Sequence, residues 1–298
     1  MKKSTKNIES IAILTMDCLY TTIYLNSLVP ELSDRVKTIF ISDRIGEKYG
    51  SAPKQGIDHL KQSGIKFILN LLAVHGFHKP LFLVSNVLRQ ISSRPQIYLI
   101  RALAKKHDIE VMVIKDVNSQ LVKNRLHELN TDLLISAYFD QILHQDVFEI
   151  PKYGTINFHP GYLPSNPGPA PTFWAVAENR PIGSTVHFTD SGIDTGNIIL
   201  REMISTDSAR SVIGLEYKIF SKAHVLTLKA IRMIEKNTLK AIPADGYREY
   251  RSYPTKSSFA HLKTFKKSYF TFSDYYKFFQ YDKRLASFFD GESTKAAG

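Results

Sequence analysis

Asn157 and His159 stand two positions apart in a run that reads as a strand, and Pro160 follows them at once. That spacing puts an amide and an imidazole on one face of the strand. Pro160 ends ladder pairing and turns the chain away, which leaves both groups at a strand's carboxyl end, where open parallel sheets hold their ligands. Further on, Asp194 sits in the Gly192-Ile193-Asp194-Thr195-Gly196 turn, whose glycines let a carboxylate fold back toward the pair. An amide donor, an imidazole and a carboxylate suit addition of an amine to a carbonyl. Asn157 donates to the developing oxyanion. His159, held as imidazolium by Asp194 and with its pKa expected to rise beside that charge, donates as well. Asp194 relays the proton that the amine releases. No covalent nucleophile and no metal is required. An Asn-x-His pair alone, or a Gly-flanked Asp turn alone, is more often a structural device; the order and spacing of the whole set carry the reading.

The elements that must position these residues follow from periodicity. Strands are expected over residues 11–16, 35–42, 111–114, 132–136, 154–158, 184–188 and 198–202, where aliphatic and β-branched residues run together. Helices are expected over 20–32, most of 57–103, 121–129 and 212–234, with a loop over 46–56 and a Pro/Gly-rich loop over 160–171. The β-α-β-α alternation predicts an α/β fold: a mostly parallel sheet with helices on both faces. We divide the chain into a catalytic domain over 9–240, with a helical insertion over 57–103, and a small C-terminal extension over 241–298. The extension, rich in Tyr, Phe, Lys and Ser, is expected to pack on the core.

Composition narrows the setting. A hydrophobic share of 43% and a charged share of 22% belong to a folded globular chain. Cys18 is the one cysteine, which excludes an intramolecular disulfide framework and any multi-cysteine zinc site. The polar start, MKKSTKNIES, lacks the form of a secretory signal. The apolar stretch over 65–88 is interrupted by Lys66, Asn70, His75, His78, Lys79 and Pro80, so no run of roughly 18 apolar residues predicts a membrane-spanning helix. The cytoplasm is the expected compartment. His75 and His78 read as loop or helix-end residues rather than metal ligands. A formal charge of +11 favours anionic partners without choosing among them.

The combined pattern resembles the formyltransferase family that uses formyltetrahydrofolate. Its signature is carried by Asn157-Phe158-His159-Pro160, Leu163-Pro164, Gly168 through Pro171, Gly183-Ser184-Thr185-Val186-His187, and Asp190 through Ile199, and the likeness spans about residues 103–228. The resemblance implies a Rossmann-like fold, formyltetrahydrofolate as formyl donor and catalytic roles for Asn157, His159 and Asp194, with His187 lining the site on the substrate side. It further implies pterin contacts from the main chain of Gln141, Ile142 and Leu143 and from Ser191, Gly192 and Ile193.

Departures from the relatives bear on the acceptor. Where the purine-pathway enzyme has a glycine-rich phosphate loop after its first strand, this chain reads Leu14-Thr15-Met16-Asp17-Cys18. The tail is too short for the β-barrel that follows the catalytic domain in methionyl-tRNA formyltransferase, although Arg248, Arg251, Lys256, Lys263, Lys266 and Lys267 interleave with aromatic residues as an RNA-binding arm would. The usual Arg-Gly of the proline loop is Pro167-Gly168 here. By elimination the expected acceptor is a small amine, such as a nucleotide-linked amino sugar. The alternatives are an initiator-tRNA acceptor, a ribonucleotide amine, and a folate-fold module that binds without catalysis. The 57–103 insertion reads as a helix pair covering the core, or else as a lid or a surface for a partner or a bilayer.

Overall fold

The computed structural model describes residues 6–43, 52–92, 94–206, 209–240, 242–243, 246, 249–264 and 266–282. Seven strands form one sheet: β1 (Ile11–Thr15), β2 (Val36–Ser42), β3 (Glu110–Ile114), β4 (Leu133–Ala137), β5 (Thr155–His159), β6 (Gly183–Phe188) and β7 (Ile198–Met203). Their order is β3-β2-β1-β4-β5-β6-β7. The pairs from β3 through β5 are parallel, and β6 and β7 are added antiparallel. All of β1 and β4 are buried, as unbroken aliphatic runs in a doubly covered parallel sheet must be. Each strand lies within a residue or two of its expected place.

Helices cover both faces. On one side α1 (Leu19–Leu32) and α9 (Val212–Glu235) bring Tyr24, Leu28, Ile219 and Phe220 against Ile13, Ile39, Ile135 and Phe158. On the other, α6 (Gln120–Glu128) and α7 (Gln145–Phe148) lay Val122, Leu126 and Val147 on Ala12, Leu14, Phe40 and Leu134. Register puts Asn157 beside Ser136 of β4 and Ser136 beside Leu14 of β1, so Asn157 belongs to the α6/α7 face.

The insertion holds α2 (Ala52–Ser63), α3 (Ile65–Leu71) continued by a π turn over Leu72–Gly76, α4 (His78–Ile91) and, after an extended stretch, α5 (Ile100–Lys106). The loop expected over 46–56 differs: α2 already begins at Ala52, with Pro53 in its first turn, where a proline costs no hydrogen bond. The rest of that expected loop, 46–51, lies outside the described residues, as do Arg248 and the Lys263 side chain.

After the short α8 (Pro171–Ala177), the tail adds α10 (Ser258–Thr264) and α11 (Phe272–Phe279). Asp274 fastens it. Its buried carboxylate accepts from Ser211 Oγ at 2.6 Å, Thr271 N at 2.6 Å and Thr271 Oγ1 at 2.7 Å, while Ser211 caps α9 by accepting from Gly214 N at 3.0 Å. Asp274→Ala would strip two helix starts of their shared acceptor. We expect a loss of about 2–4 kcal/mol, read as a fall in Tm of several degrees, because buried donors left without a partner lose their full desolvation cost. An unchanged Tm would show that the tail adds little to stability.

Candidate active site

On the sheet face described above, α6 and α7 cover β2, β1 and β4, and α7 meets β5 at its start, where Thr155 Oγ1 donates to Phe148 O at 2.9 Å. Further along β5, Asn157 stands opposite His187 and His159 opposite Thr185, the four side chains sharing a face. The β6–β7 connection folds back over that face and delivers Asp194 in the left-handed region, φ 55°, which Asp tolerates better than most residues. Asp194 Oδ1 lies 3.5 Å from His159 Nδ1 and 3.6 Å from His187 Nε2, and Asp194 Oδ2 accepts from Gly168 N at 2.8 Å. The amide, the imidazole and the carboxylate, 37 positions apart at the extremes, thus meet around one point.

Hydrogen bonds assign the protons. His187 Nδ1–H donates to the Phe188 carbonyl at 2.8 Å, so its Nε2 accepts from Asn157 Nδ2 at 3.1 Å. This fixes the half-buried Asn157 amide nitrogen with one of its two hydrogens engaged and the other available to an oxyanion. His159 Nε2–H donates to the Asn166 carbonyl at 2.8 Å, which leaves Nδ1 facing Asp194 as the acceptor nitrogen of a neutral ring.

Charge follows burial. Loss of solvent pushes the His159 imidazole below its ordinary value, and the Asp194 charge pulling it upward does not make up the difference. The expectation that Asp194 would hold His159 as imidazolium is therefore corrected: at neutral pH the ring is uncharged, because desolvation outweighs one carboxylate 3.5 Å away. Asp194 behaves oppositely. Burial raises its carboxyl, but His159, His187 and the Gly168 N–H together prevail and hold it down to about 2. A neutral imidazole beside an ionised carboxylate is an arrangement ready to take a proton.

The loop over 160–171 locks the back of the site. Thr185 Oγ1 donates to Gly161 O at 2.7 Å and accepts from Leu163 N at 3.0 Å, Thr172 Oγ1 donates to Pro160 O at 3.1 Å, and Asn166 Nδ2 donates to Pro181 O at 2.7 Å. Sequence reasoning missed the roles of Asn166, Gly168 and Thr185. The first two act through main-chain atoms, on which residue type leaves no mark. Thr185 was legible only from its cross-strand register with His159. A Cβ on Gly161 would stand 2.5 Å from His159 Nε2, 2.6 Å from Pro171 Cβ and 2.9 Å from Asn166 O. Gly161→Ala should therefore displace the His159–Asn166 contact. We expect about 1–3 kcal/mol less stability from overpacking together with a clear loss of turnover; parental kinetics in this variant would mean that the contact does not matter.

The remaining expected site residues are spread along two loops. Gln141 spends its side chain on structure, accepting from Val117 N at 2.9 Å and donating to Ser42 Oγ at 2.8 Å, and Leu143 is buried among core residues of α6 and α7. Ile142 and Ile193, on the loops after β4 and β6, are 64% and 46% exposed. Ser191 and Gly192 are exposed beside Ile193, where Gly192 N donates to Asp190 Oδ1 at 3.1 Å.

Residues 85–231 match the family model described as formyl transferase. A methionyl-tRNA formyltransferase of Acetivibrio thermocellus is 32% identical over 145 residues, 48% of this chain and 47% of that protein. One from Geobacter metallireducens is 36% identical over 107 residues, 36% of this chain and 34% of its own length. The chain spans about half the length of the first relatives it matches. Among solved structures, a sugar N-formyltransferase from Shewanella shares the fold with a TM-score of 0.52 at 14% identity, over 84% of this chain and 78% of that one. So does an N-formyltransferase from Helicobacter canadensis in complex with folinic acid and dTDP-3-aminofucose, with a TM-score of 0.51 at 18% identity, over 83% and 71%.

Proposed function

We propose, from the premise that residues 85–231 belong to the formyl transferase family, that this site moves a formyl group from formyltetrahydrofolate to the amine of a small acceptor. The observation that carries the reading is the meeting of Asn157, His159, His187 and Asp194 on the shared face of β5 and β6, every link 3.6 Å or less.

Formyltetrahydrofolate, when bound, supplies the carbonyl carbon that the amine attacks. The fit of the donor is supported by Ile142 and Ile193, two exposed apolar side chains on the loops flanking β5, which suit the faces of a pterin ring. Asn157 Nδ2 uses its free hydrogen on the oxygen that becomes negative. His159 Nδ1 takes the proton released by the amine and returns it to the folate nitrogen as the bond from that nitrogen to the formyl carbon breaks and tetrahydrofolate leaves, its Nε2–H staying on Asn166. Asp194, already ionised, stabilises the imidazolium as it forms. His187 holds Asn157 in orientation by accepting its other hydrogen.

A small acceptor, of which a nucleotide-linked amino sugar is one kind, is supported by the tail: its described part over 249–282 folds as two helices docked on the core. The turn after β1 has no glycine and carries Asp17, already paired with Lys79 at 2.7 Å and His78 at 3.3 Å, so it lacks the glycine-rich cradle that would suit the phosphate of a ribonucleotide amine. A second reading, transfer to methionyl-tRNA, is favoured by the sequence relatives that bear that name. Tetrahydrofolate release by the purified chain with nucleotide-linked amino sugars, a ribonucleotide amine and aminoacyl-tRNA decides between them. Turnover with a nucleotide-linked amino sugar alone supports the first reading, turnover with the tRNA alone the second, and none with any acceptor removes both.

A further inference from the structure

The inserted α4 is built inside out. Its inward row is His78, Phe82, Ser85 and Arg89, and its outward row is Leu81, Val84, Leu88 and Ile91, with Phe77 just before it. Val84, Leu88 and Ile91 are 61%, 63% and 79% exposed. On α3 and its π turn, Ile65, Leu69 and Leu72 repeat the outward pattern while Asn70 points in. An isolated amphipathic helix on a core does the reverse, burying its apolar stripe.

The inner polar groups fix this orientation. Arg89 donates to the carbonyls of Pro95 at 2.8 Å, Tyr281 at 2.7 Å and Phe279. Ser85 Oγ donates to Phe279 O at 3.1 Å, and Asn70 pairs with Tyr269 at 3.1 Å and Tyr275 at 2.8 Å. Rotating either helix to hide its apolar side would strand these partners, so the greasy face stays outward. Around it the charges have one sign: Lys54, Lys61, Lys66 and Arg94 are exposed and Lys79 is half-exposed, against the single acid Asp58 within 52–94.

We propose that the bent α3–α4 pair docks this chain on an anionic bilayer surface, its apolar rows sunk into the headgroup boundary and its lysines on the acidic lipids. The pair lies in the interface rather than crossing it. No single helix among the described residues is long and apolar enough to span a membrane; α3 with its π turn and α4 bend by 59° where they join, and the 14 residues of α4 reach only about 21 Å at 1.5 Å per residue. A second copy of the chain is the poorer occupant, because a twofold interface is self-complementary and would set like charges against each other. The junction of the pair is tied to the ends of β1 and β4 by Asp17 with His78 and Lys79 and by His75 stacked on Tyr138, ring centres 6.1 Å apart. Docking thus holds the carboxyl ends of β1 and β4 near the lipid.

Co-sedimentation of the full chain with phosphatidylcholine vesicles, with and without phosphatidylglycerol, tests this directly. We expect binding to the phosphatidylglycerol vesicles that weakens as salt is added. Val84→Glu with Leu88→Glu should lower it at least about tenfold. Lys61→Gln with Lys66→Gln should lower it about fivefold per lysine. All four positions are exposed, so an unchanged Tm separates lost docking from misfolding. Binding that ignores lipid charge, no binding at all, or a dimer in solution that only Val84→Glu with Leu88→Glu dissolves would each overturn the proposal. None of these readouts depends on formyl transfer, so the docking and the proposed reaction fail separately.

Discussion

His159→Asn lowers kcat for formyl transfer by about 10²–10⁴-fold, the usual worth of a well-placed general base. The substituted amide can keep a hydrogen bond to the Asn166 carbonyl, but it offers no nitrogen that accepts a proton beside Asp194. Asn157→Ala should cost about 10²–10³-fold, the usual value of one oxyanion donor. The two losses act on one transition state and will not add. Single-turnover kinetics with saturating donor and acceptor, beside thermal melts of the same preparations, is the suitable measurement. Should both variants turn over at the parental rate with parental Tm, the assignment of these residues to the reaction is wrong.

The pH dependence of kcat has a direction set by the neutral ring. Because burial holds His159 below its ordinary value, its base form prevails at neutral pH, and the rate should be flat there and fall on the acid side. Had the imidazolium been the working form, the rate would fall as pH rises. The acceptor's own ammonium also gives an acid limb, so the wild-type profile alone is insufficient. Asp194→Asn resolves it. Removing the charge that pulls His159 upward moves its titration further down, so the limb shifts to lower pH while the plateau drops by about 10²-fold for want of a counter-charge. A limb unmoved by Asp194→Asn, or a rate that declines above pH 6.5, would count against His159 as the base.

Stability obeys the same signs. A histidine whose folded value is depressed contributes fully above its unfolded value and loses that contribution as pH falls through the folded one. His75, pushed by burial from 6.5 to about 4, therefore destabilises the chain between pH 6.5 and about 4, by at most about 3 kcal/mol, and His159, lowered by burial as well, acts in the same direction as pH falls below its ordinary value. Asp194, at about 2 against 3.8, holds its contribution above 3.8 and loses it only as pH falls toward 2. A falling Tm should thus begin near pH 6.5, well above the carboxylate range.

Much of this was legible in the residues. Unbroken runs such as IAILT and LLISA read as doubly covered strands because nothing polar in them needs water. Asn157 and His159 read as neighbours on one face because a strand alternates, and the flanking glycines announced that Asp194 could turn back. The main-chain atoms of Asn166 and Gly168 could not be read, since any residue supplies a carbonyl and almost any an N–H.

The chain's own pattern thus determined the sheet and the three side chains that meet at the site, Asn157 and His159 on β5 and Asp194 on the loop after β6. Tertiary structure alone decided the proton on His159 and the outward face of α4. Desolvation is summed over atoms from segments far apart in sequence, so one adjacent carboxylate is a poor guide to it. Likewise, an amphipathic period marks two faces of a helix without saying which finds partners; here Phe279 and Tyr281, some 190 residues away, claim Arg89 and leave the leucines and valines outside.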